Sequence, residues 1–282
     1  MYLFKRAADL REALGQEKKA GRRIGFAPTM GALHQGHISL VQAAKQQSDI
    51  VVASIFVNPT QFNDPKDFEK YPSTLQQDIL LLTAAGADYL FLPSVTEMYP
   101  EGVNGSHPHY DFGYIESVLE GASRPGHFQG VGIIVHKLLD AVGPDDLFMG
   151  QKDFQQCMII KRLLEITGSM ATLYICPTLR EPDGLAMSSR NMRLSPEQRV
   201  TAVEISRTLQ WVKDNLHNRP FPELRSEGLA RLEKAGFEPD YLQLASGSDL
   251  RLLEAPEDGP MAILVAARLG DIRLIDNMTA GA

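Results

Sequence analysis

The sequence contains few cysteines, only Cys157 and Cys176 among 282 residues, and their spacing does not form a C-x-x-C motif. Folds that depend on disulfides, and zinc sites that depend on paired cysteines, have more cysteines at short spacings. The sequence therefore argues against a disulfide-built fold and against a cysteine-based metal site. Reduced cysteines are typical of a reducing compartment, so we expect a cytoplasmic location.

Long apolar segments are also absent, and no stretch is long enough to cross a bilayer as a helix. The first six residues lack the apolar run of a signal peptide. Positive charge is not in excess, because 28 Lys and Arg face 35 Asp and Glu, which gives a net charge of −7. We therefore expect neither a membrane nor a nucleic acid as a partner.

The first part of the sequence alternates apolar runs with helical patterns. Ile50–Val57 is continuously apolar, which is typical of a parallel strand buried on both faces. Further strands are predicted from Ile24, Asp88, Asp146 and Ala171. Helical segments separate these strands, and this order predicts right-handed β-α-β units on a parallel sheet with helices on both faces. The fold class is therefore α/β and Rossmann-like.

The pattern changes after Thr178. The Ser195-Pro-Glu-Gln198 capping box begins an amphipathic helix that we expect to continue to His217. A second helix over 222–235 is followed by strands over 241–245, 262–267 and 272–277. This order predicts a smaller α+β domain, so we divide the chain into domains 1–178 and 179–282.

The segment from Ile24 to Leu40 is predicted to be a strand, a turn and a helix, and it contains His34 and His37. On a helix, side chains three residues apart lie on one face. The unpaired N–H groups at a helix start attract anions, and two imidazole donors there could bind phosphate oxygens as charge develops. We interpret the segment as a nucleotide-binding device.

Two other interpretations of His34 and His37 stay open at this point. They could form half of a metal site, although zinc takes three or four ligands and the other histidines are scattered along the chain. They could also be ordinary surface histidines.

Lys152 lies in the first turn of another predicted helix, where a cation opposes the helix dipole. A positive side chain in this unfavourable position is easier to explain if it binds phosphate. Gln156 lies four residues further along, on the same face of the helix. A solvated lysine is the alternative.

Two polar segments are further candidates. The glycine-rich Gly121–Gly130 contains Arg124 and His127, and we predict a loop that is either a simple connection or a mobile cover over a site. Met187–Asn191 follows the turn pair Asp183-Gly184 and combines two hydroxyls with a guanidinium, which suits phosphate binding.

These motifs together resemble the pantoate–β-alanine ligase (pantothenate synthetase) family. This family lies in the superfamily of H-x-G-H nucleotidyltransferases and class I aminoacyl-tRNA synthetases. The H-x-G-H motif alone indicates only the superfamily, whereas the ordered set along nearly the whole chain singles out the family. The matching segments are Pro28–Gly31, His34–His37, Ser54–Pro59, Gln61-Phe62, Tyr71-Pro72, Glu120–Phe128, Lys152–Gln156, Ser188–Asn191 and Leu269–Asn277.

The resemblance implies a ligase of pantothenate and coenzyme A biosynthesis. Domain 1–178 would bind the nucleotide and pantoate, and domain 179–282 would close over the active site. In the family's reaction the pantoate carboxylate attacks the α-phosphate of ATP, forming enzyme-bound pantoyl adenylate and pyrophosphate. The amine of β-alanine then displaces AMP to form pantothenate. The resemblance further implies Mg2+ with the ATP substrate, no tightly bound organic cofactor, and a homodimer.

The resemblance also implies roles for residues at the matching positions. The catalytic set would be His34, His37, Lys152 and Arg190, with His37 as a candidate proton donor. The ATP-binding set would be Met30, His34, His37, Gly150, Lys152, Asp153, Met187, Ser188, Ser189 and Arg190. Pantoate would be bound by Gln61 and Gln156. Candidates for binding β-alanine, or for ordering the segment above it, are Asn58, Gln61, Arg124 and His127. Asp78 is the one candidate that the resemblance offers as a ligand for Mg2+.

The sequence departs from the family pattern at two positions, Thr60 in place of the usual Met and Gln151 in place of the usual Glu. Neither change removes a charged group needed for phosphate chemistry, but Gln151 could alter how Lys152 is held. The alternatives are another H-x-G-H nucleotidyltransferase, a class I tRNA synthetase, and a nucleotide sensor without catalysis. The absence of a G-x-x-x-x-G-K-[ST] motif excludes a P-loop ATPase.

Overall fold

The computed structural model describes residues 1–62, 68–69 and 71–281, so part of the loop expected between Thr60 and Pro72 lies outside the described residues. The chain forms two compact units. Unit 1 comprises Met1–Gly150 and Ile159–Cys176, and unit 2 comprises Gln151–Met158 and Pro177–Ala282.

This division differs from the single boundary expected after residue 178, because the segment Gln151–Met158 groups with unit 2. The side chain of Asn277, in the last strand of unit 2, donates hydrogen bonds to the carbonyl oxygens of Gln151 and Lys152, both at 2.9 Å. These long-range bonds leave no trace in local sequence patterns. The chain returns to unit 1 at Ile159 and leaves it again after Cys176.

Unit 1 is built on a six-stranded sheet with the strand order β1-β4-β3-β2-β5-β6, and all of its pairs are parallel. The strands are β1 (Tyr2–Phe4), β2 (Ile24–Thr29), β3 (Ile50–Ile55), β4 (Tyr89–Phe91), β5 (Asp146–Gly150) and β6 (Thr172–Cys176). The α/β, Rossmann-like prediction is confirmed. Strand β1 was not predicted, because three residues are too few to show a period.

The helices of the first part of the chain lie between these strands. They are α1 (Ala7–Lys19), α2 (Gln35–Gln47), α3 (Leu75–Ala84), α4 (Val95–Met98), α5 (Glu120–Ser123), α6 (His127–Val142) and α7 (Phe154–Thr167). Every residue of β3 is buried, as its continuous apolar run predicts. Val41 and Ala44 of α2 pack with Val51 and Ala53 of β3 in the core of the unit.

The prediction of a loop over Gly121–Gly130 is wrong, because α5 covers 120–123 and α6 already begins at His127. Gly126, with φ +79°, turns the chain between the two helices. Gly130 lies inside α6, where a Cβ would stand 2.5 Å from the carbonyl oxygen of Thr60. That glycine therefore permits close packing of α6 against Thr60. A glycine needed for close packing and a glycine in a flexible loop look the same in the composition.

Unit 2 contains a four-stranded antiparallel sheet with the order β10-β9-β7-β8. Its strands are β7 (Glu238–Ser246), β8 (Leu252–Leu253), β9 (Met261–Leu269) and β10 (Ile272–Ala280), and its helices are α8 (Pro196–Ala202), α9 (Glu204–Asn215) and α10 (Phe221–Lys234). The Ser195–Gln198 capping box is present, but the helix expected to run to His217 is interrupted at Val203. Leu209, Val212, Leu224, Val265 and Leu274 belong to the core of this unit.

Candidate active site

The loop from β2 to α2 is fixed by Asp78 of α3. The carboxylate of Asp78 accepts hydrogen bonds from the main-chain N–H of Ala32 at 3.0 Å and of Leu33 at 2.8 Å, and from the hydroxyl of Thr74 at 3.0 Å. The side chain is buried. Ala32 has a φ of 48°, which is unfavourable for a residue with a Cβ, and the hydrogen bonds to Asp78 offset this cost. Both carboxylate oxygens thus serve the loop, and the magnesium role suggested for Asp78 stays an untested prediction.

His34 and His37 lie at the start of α2, as predicted, and cap this helix together. His34 is the N-cap residue, and its Nδ1 accepts a hydrogen bond from the N–H of Gly36 at 3.1 Å. The Nδ1 of His37 accepts one from the N–H of His34 at 3.3 Å. The two ring centroids are 4.1 Å apart. The structure therefore brings the imidazoles together in a reciprocal capping box.

This capping fixes the tautomer of both rings. A ring nitrogen that accepts a backbone hydrogen bond has no proton of its own, so in the neutral ring the proton lies on Nε2. Both histidines then have their N–H donor on the ring nitrogen that does not cap the helix. A pair of N–H donors at a helix N-terminus is suited to binding an anionic oxygen.

Gln61 is the centre of a second group in unit 1. Its Nε2 donates to the Sδ of Met30 at 2.9 Å, and its Oε1 accepts a hydrogen bond from the Nδ2 of Asn58 at 3.3 Å. Asn58 is buried and also donates to the carbonyl oxygen of Gly130 at 3.1 Å. Gln61 is therefore in direct contact with two other residues predicted from sequence, Met30 and Asn58.

Arg124 and His127 are bound to the main chain of Gln61. The carbonyl oxygen of Gln61 accepts hydrogen bonds from the Nη2 of Arg124 at 3.3 Å and from the Nδ1 of His127 at 2.8 Å. Because a carbonyl can only accept, Nδ1 of His127 is protonated, and its Nε2 can accept from the Nη1 of Arg124 at 3.1 Å. Both residues thus hold Gln61 in place, a role that the glycine-rich composition around them did not indicate.

Tyr99 and Thr60 complete the group from the side of Asn58. The buried Tyr99 hydroxyl donates to the Oδ1 of Asn58 at 2.7 Å, and the Thr60 hydroxyl donates to the same oxygen at 3.2 Å. Burial raises the pKa of Tyr99, so the hydroxyl keeps its proton and remains a donor. The methionine usual at position 60 could not make this bond. Tyr99 was missed because nothing in the sequence around it suggests a link to Asn58.

One cleft of unit 2 is lined by Lys152, Ser188 and Arg190, although Lys152 is far from the other two in sequence. The Oγ of Ser188 accepts a hydrogen bond from the N–H of Arg190 at 3.3 Å and caps the short 3-10 helix Ser189–Arg193. Asn191 donates to the carbonyl oxygen of Ala186 at 3.0 Å. The full lining consists of Lys152, Leu185, Ala186, Ser188, Arg190, Asn191, Ile205, Arg273, Leu274, Ile275 and Asp276.

The remaining predicted residues are neighbours of Lys152 or Ser188 in the sequence. Gly150 ends β5 of unit 1. In unit 2, Asp153 closes the short 3-10 helix Gln151–Asp153, and Gln156 lies in the early part of α7. The N–H of Met187 donates to the carbonyl oxygen of Leu179 at 3.0 Å, next to the turn at Asp183-Gly184 that the sequence predicted.

Asp276, a buried residue of the cleft lining, forms an ion pair with the partly exposed Arg180. Arg180 donates two hydrogen bonds to the carboxylate of Asp276, at 2.6 and 3.0 Å, and further ones to the carbonyl oxygens of Gly184 and Asn277, both at 3.1 Å. Burial raises the pKa of Asp276, while the guanidinium of Arg180 and the charge of Lys152 oppose this rise. The pair ties the turn at Gly184 to β10. The matching tail segment Leu269–Asn277 contains Asp276, but only the structure shows its partner.

Among the residues that the structure describes, no three His, Cys, Asp or Glu side chains are grouped so that they could hold a metal ion. Within the same part of the chain, no helix is both long and apolar enough to cross a membrane. Cys157 and Cys176 are both buried.

The family model for pantoate-beta-alanine ligase matches residues 2–279 of the chain. The chain belongs to this family. Among its relatives is a pantothenate synthetase of Pseudomonas fluorescens (strain Pf0-1), with 46% identity over 280 residues that cover 99% of this chain and 97% of the relative. A pantothenate synthetase of Marinomonas sp. (strain MWYL1) is 44% identical and covers 99% of each chain.

Solved structures of the family superimpose on the whole chain. The pantothenate synthetase of Thermus thermophilus matches with a TM-score of 0.91 and 40% identity, covering 99% of both chains. The pantoate-beta-alanine ligase of Francisella tularensis, in a structure complexed with beta-gamma ATP and beta-alanine, matches with a TM-score of 0.83 and 38% identity. It covers 99% of this chain and 97% of that one. The family resemblance stated from the sequence is confirmed.

Proposed function

We propose that this protein condenses pantoate with β-alanine, using ATP, to give pantothenate, AMP and pyrophosphate. The observation on which the proposal depends is family membership over residues 2–279, joined to the paired histidine donors at the start of α2. The structure of the Francisella tularensis relative with ATP and beta-alanine supports the same two substrates here.

The first step joins two anions, so the protein must neutralise charge. A carboxylate oxygen of pantoate attacks the α-phosphorus of ATP, the bond from that phosphorus to the bridging oxygen breaks, and pyrophosphate leaves. Catalysis of such a transfer consists mainly of positioning and electrostatic stabilisation. We assign the stabilising donors to the Nε2–H groups of His34 and His37 and to the cations of Lys152 and Arg190. The net charge of −7 makes this local concentration of donors necessary.

The second step forms the amide. The uncharged amine of β-alanine attacks the acyl carbon of pantoyl adenylate, the acyl carbon–oxygen bond breaks, and AMP leaves with that oxygen while the nitrogen loses a proton. We assign the binding of pantoate to the side-chain amides of Gln61 and Gln156. Neutral amides bind hydroxyl and carboxylate groups without stabilising the attacking anion as strongly as a guanidinium would.

Arg124 and His127 have indirect roles in this proposal. They hydrogen-bond to the carbonyl oxygen of Gln61, so they orient the pantoate-binding amide, and Asn58 does the same through the side chain. Met30, Gly150, Asp153, Met187, Ser188 and Ser189 are assigned to the binding of ATP. Magnesium would enter with ATP as part of the substrate. The expected homodimer and cytoplasmic location belong to the same proposal.

Product analysis tests the proposal directly. ATP, magnesium and D-pantoate should release about one equivalent of pyrophosphate per active site, and later addition of β-alanine should release AMP and pantothenate. Release of ADP and phosphate would instead indicate an acyl-phosphate ligase and overturn the assignments at the α-phosphate. Lys152→Ala and His37→Ala should fold and lose pyrophosphate release, and a folded variant with near-normal turnover would remove that residue from the mechanism.

The competing function is that of another H-x-G-H nucleotidyltransferase. The protein would then transfer the nucleotide to an acceptor and keep it in the final product. Incubation with ATP labelled in the α-phosphate distinguishes the two, because the ligase returns all of the label as AMP once β-alanine is added.

A further inference from the structure

The side chain of Asn277 makes three hydrogen bonds to the segment that contains Lys152. Its Nδ2 donates to the carbonyl oxygens of Gln151 and Lys152, both at 2.9 Å, and its Oδ1 accepts from the Nε2 of Gln151 at 3.1 Å. Because both carbonyls can only accept, the amide group must face them with its nitrogen. Asn277 is buried in β10 and therefore forms a rigid support for this segment.

The supported segment is short. Gln151–Asp153 is a single turn of 3-10 helix that precedes α7, and Lys152 places a positive charge where the helix dipole disfavours one. The Lys152 side chain is only 16% exposed and lies in the lining of the cleft with Asp276, next to Asn277 in sequence. The two bonds from Asn277 fix the carbonyls on both sides of the Lys152 Cα, and hence the direction in which its Cα–Cβ bond points.

We propose that Asn277 is a positioning residue that acts through Lys152, and that Gln151 completes this support in this chain. The inference rests on the proposed function, in which Lys152 binds the phosphates of ATP. The three bonds use both N–H groups and the carbonyl oxygen of the Asn277 amide. A glutamate at position 151, the usual residue in the family, could not donate the third bond to Oδ1.

The first test compares two asparagines of unit 2. Asn277→Leu keeps the branched shape of the side chain but removes all three bonds, and we expect kcat for pyrophosphate release to fall by about 10- to 100-fold. The KM for pantoate should stay within about twofold of the wild type. Asn215→Leu is the matched control, because Asn215 also donates to a carbonyl oxygen, that of Trp211 at 2.9 Å, at the end of α9. Equal kinetic effects of the two substitutions would overturn the inference.

A second test separates positioning from general destabilisation. If Asn277 acts through Lys152, the substitution Asn277→Leu should weaken ATP binding, measured by calorimetry, much less in a Lys152→Ala background than in the wild type. Additive losses would mean that Asn277 does not act through Lys152 and would overturn the proposal. Wild-type enzyme that forms no pantothenate would instead contradict the proposed function itself, so the two failures are distinguishable.

Gln151→Leu provides a milder variant in case Asn277→Leu does not fold. It removes only the bond from Nε2 of Gln151 and leaves both bonds from Asn277 to the main chain. We expect a loss of kcat of about two- to fivefold, again without a change in the KM for pantoate. Unchanged kcat would remove Gln151 from the proposal, and a changed KM for pantoate with unchanged kcat would contradict the positioning of Lys152.

Discussion

The main-chain N–H of His34 donates to the Nδ1 of His37, while the Nδ1 of His34 accepts from Gly36. Each ring thus serves two purposes at once. Its Nδ1 satisfies a backbone donor that the helix leaves unpaired, and its Nε2–H is the group that we assign to phosphate. The cap and the proposed chemistry therefore depend on opposite ends of the same imidazoles.

Substitution of His34 should separate the two purposes. In His34→Asn the side-chain oxygen can still accept from Gly36, so the free energy of unfolding should stay near that of the wild type. In His34→Ala it should fall by about 1 kcal/mol. Both variants should lose about 100-fold in adenylation, because neither has the Nε2–H donor. Urea unfolding and pyrophosphate release check this, and an active His34→Asn enzyme would show that the donor is not needed.

Asp78 should be a stability determinant of the loop before α2. Asp78→Asn replaces one acceptor oxygen with a donor that faces a main-chain N–H, so we expect a loss of about 2 to 3 kcal/mol in the free energy of unfolding. Asp9→Asn is the matched control, because Asp9 also lies in the first turn of a helix but is exposed. If the two substitutions have equal effects in urea unfolding, the loop contacts contribute nothing beyond the helix dipole.

Gly130→Ala should disturb the Gln61 group without replacing any residue that we assign to a substrate. The new Cβ would lie 2.5 Å from the carbonyl oxygen of Thr60 and 3.1 Å from the Cα of Gln61, so the turn Pro59–Gln61 must move. We expect the KM for pantoate to rise about tenfold. The control is Gly15→Ala in α1, which meets no atom within 4 Å and should leave kinetics unchanged while stabilising the helix by up to about 1 kcal/mol. An unchanged KM for pantoate in Gly130→Ala would contradict the role of Gln61.

The ion pair of Asp183 and Arg199 gives a prediction about pH. Hydrogen bonding to the Arg199 guanidinium, at 2.7 and 3.2 Å, holds the pKa of Asp183 below its ordinary value of 3.8. A lowered pKa means that the contribution to stability is present above pH 3.8 and is lost as the pH falls through the folded-state pKa. Because the pair is partly exposed, Asp183→Asn should cost less than about 1 kcal/mol at pH 7. Denaturation of both proteins across acidic pH checks this, since the difference should shrink as Asp183 becomes protonated.

The sequence by itself was sufficient for the elements whose patterns are local. The apolar run of β3 predicts a buried parallel strand because the residue types on both faces of such a strand must be apolar. The Ser195–Gln198 capping box predicts the start of α8 because its two hydrogen bonds join residues three apart. The H-x-G-H segment likewise indicates a helix start with two imidazoles, because both histidines lie within the first turn of the helix.

Only the tertiary structure decided which distant residues support these devices. Asp78 reaches Ala32 in the loop before α2 across 46 positions of the chain, and Asn277 reaches Lys152 across 125 positions. The glycines near His127 also show what a local pattern cannot reveal. Their number predicts a flexible loop, whereas in the structure Gly130 permits a close contact with Thr60. A local pattern reflects the geometry of a few neighbouring residues. Long-range contacts depend instead on how strands and helices pack together, and no local period encodes that packing.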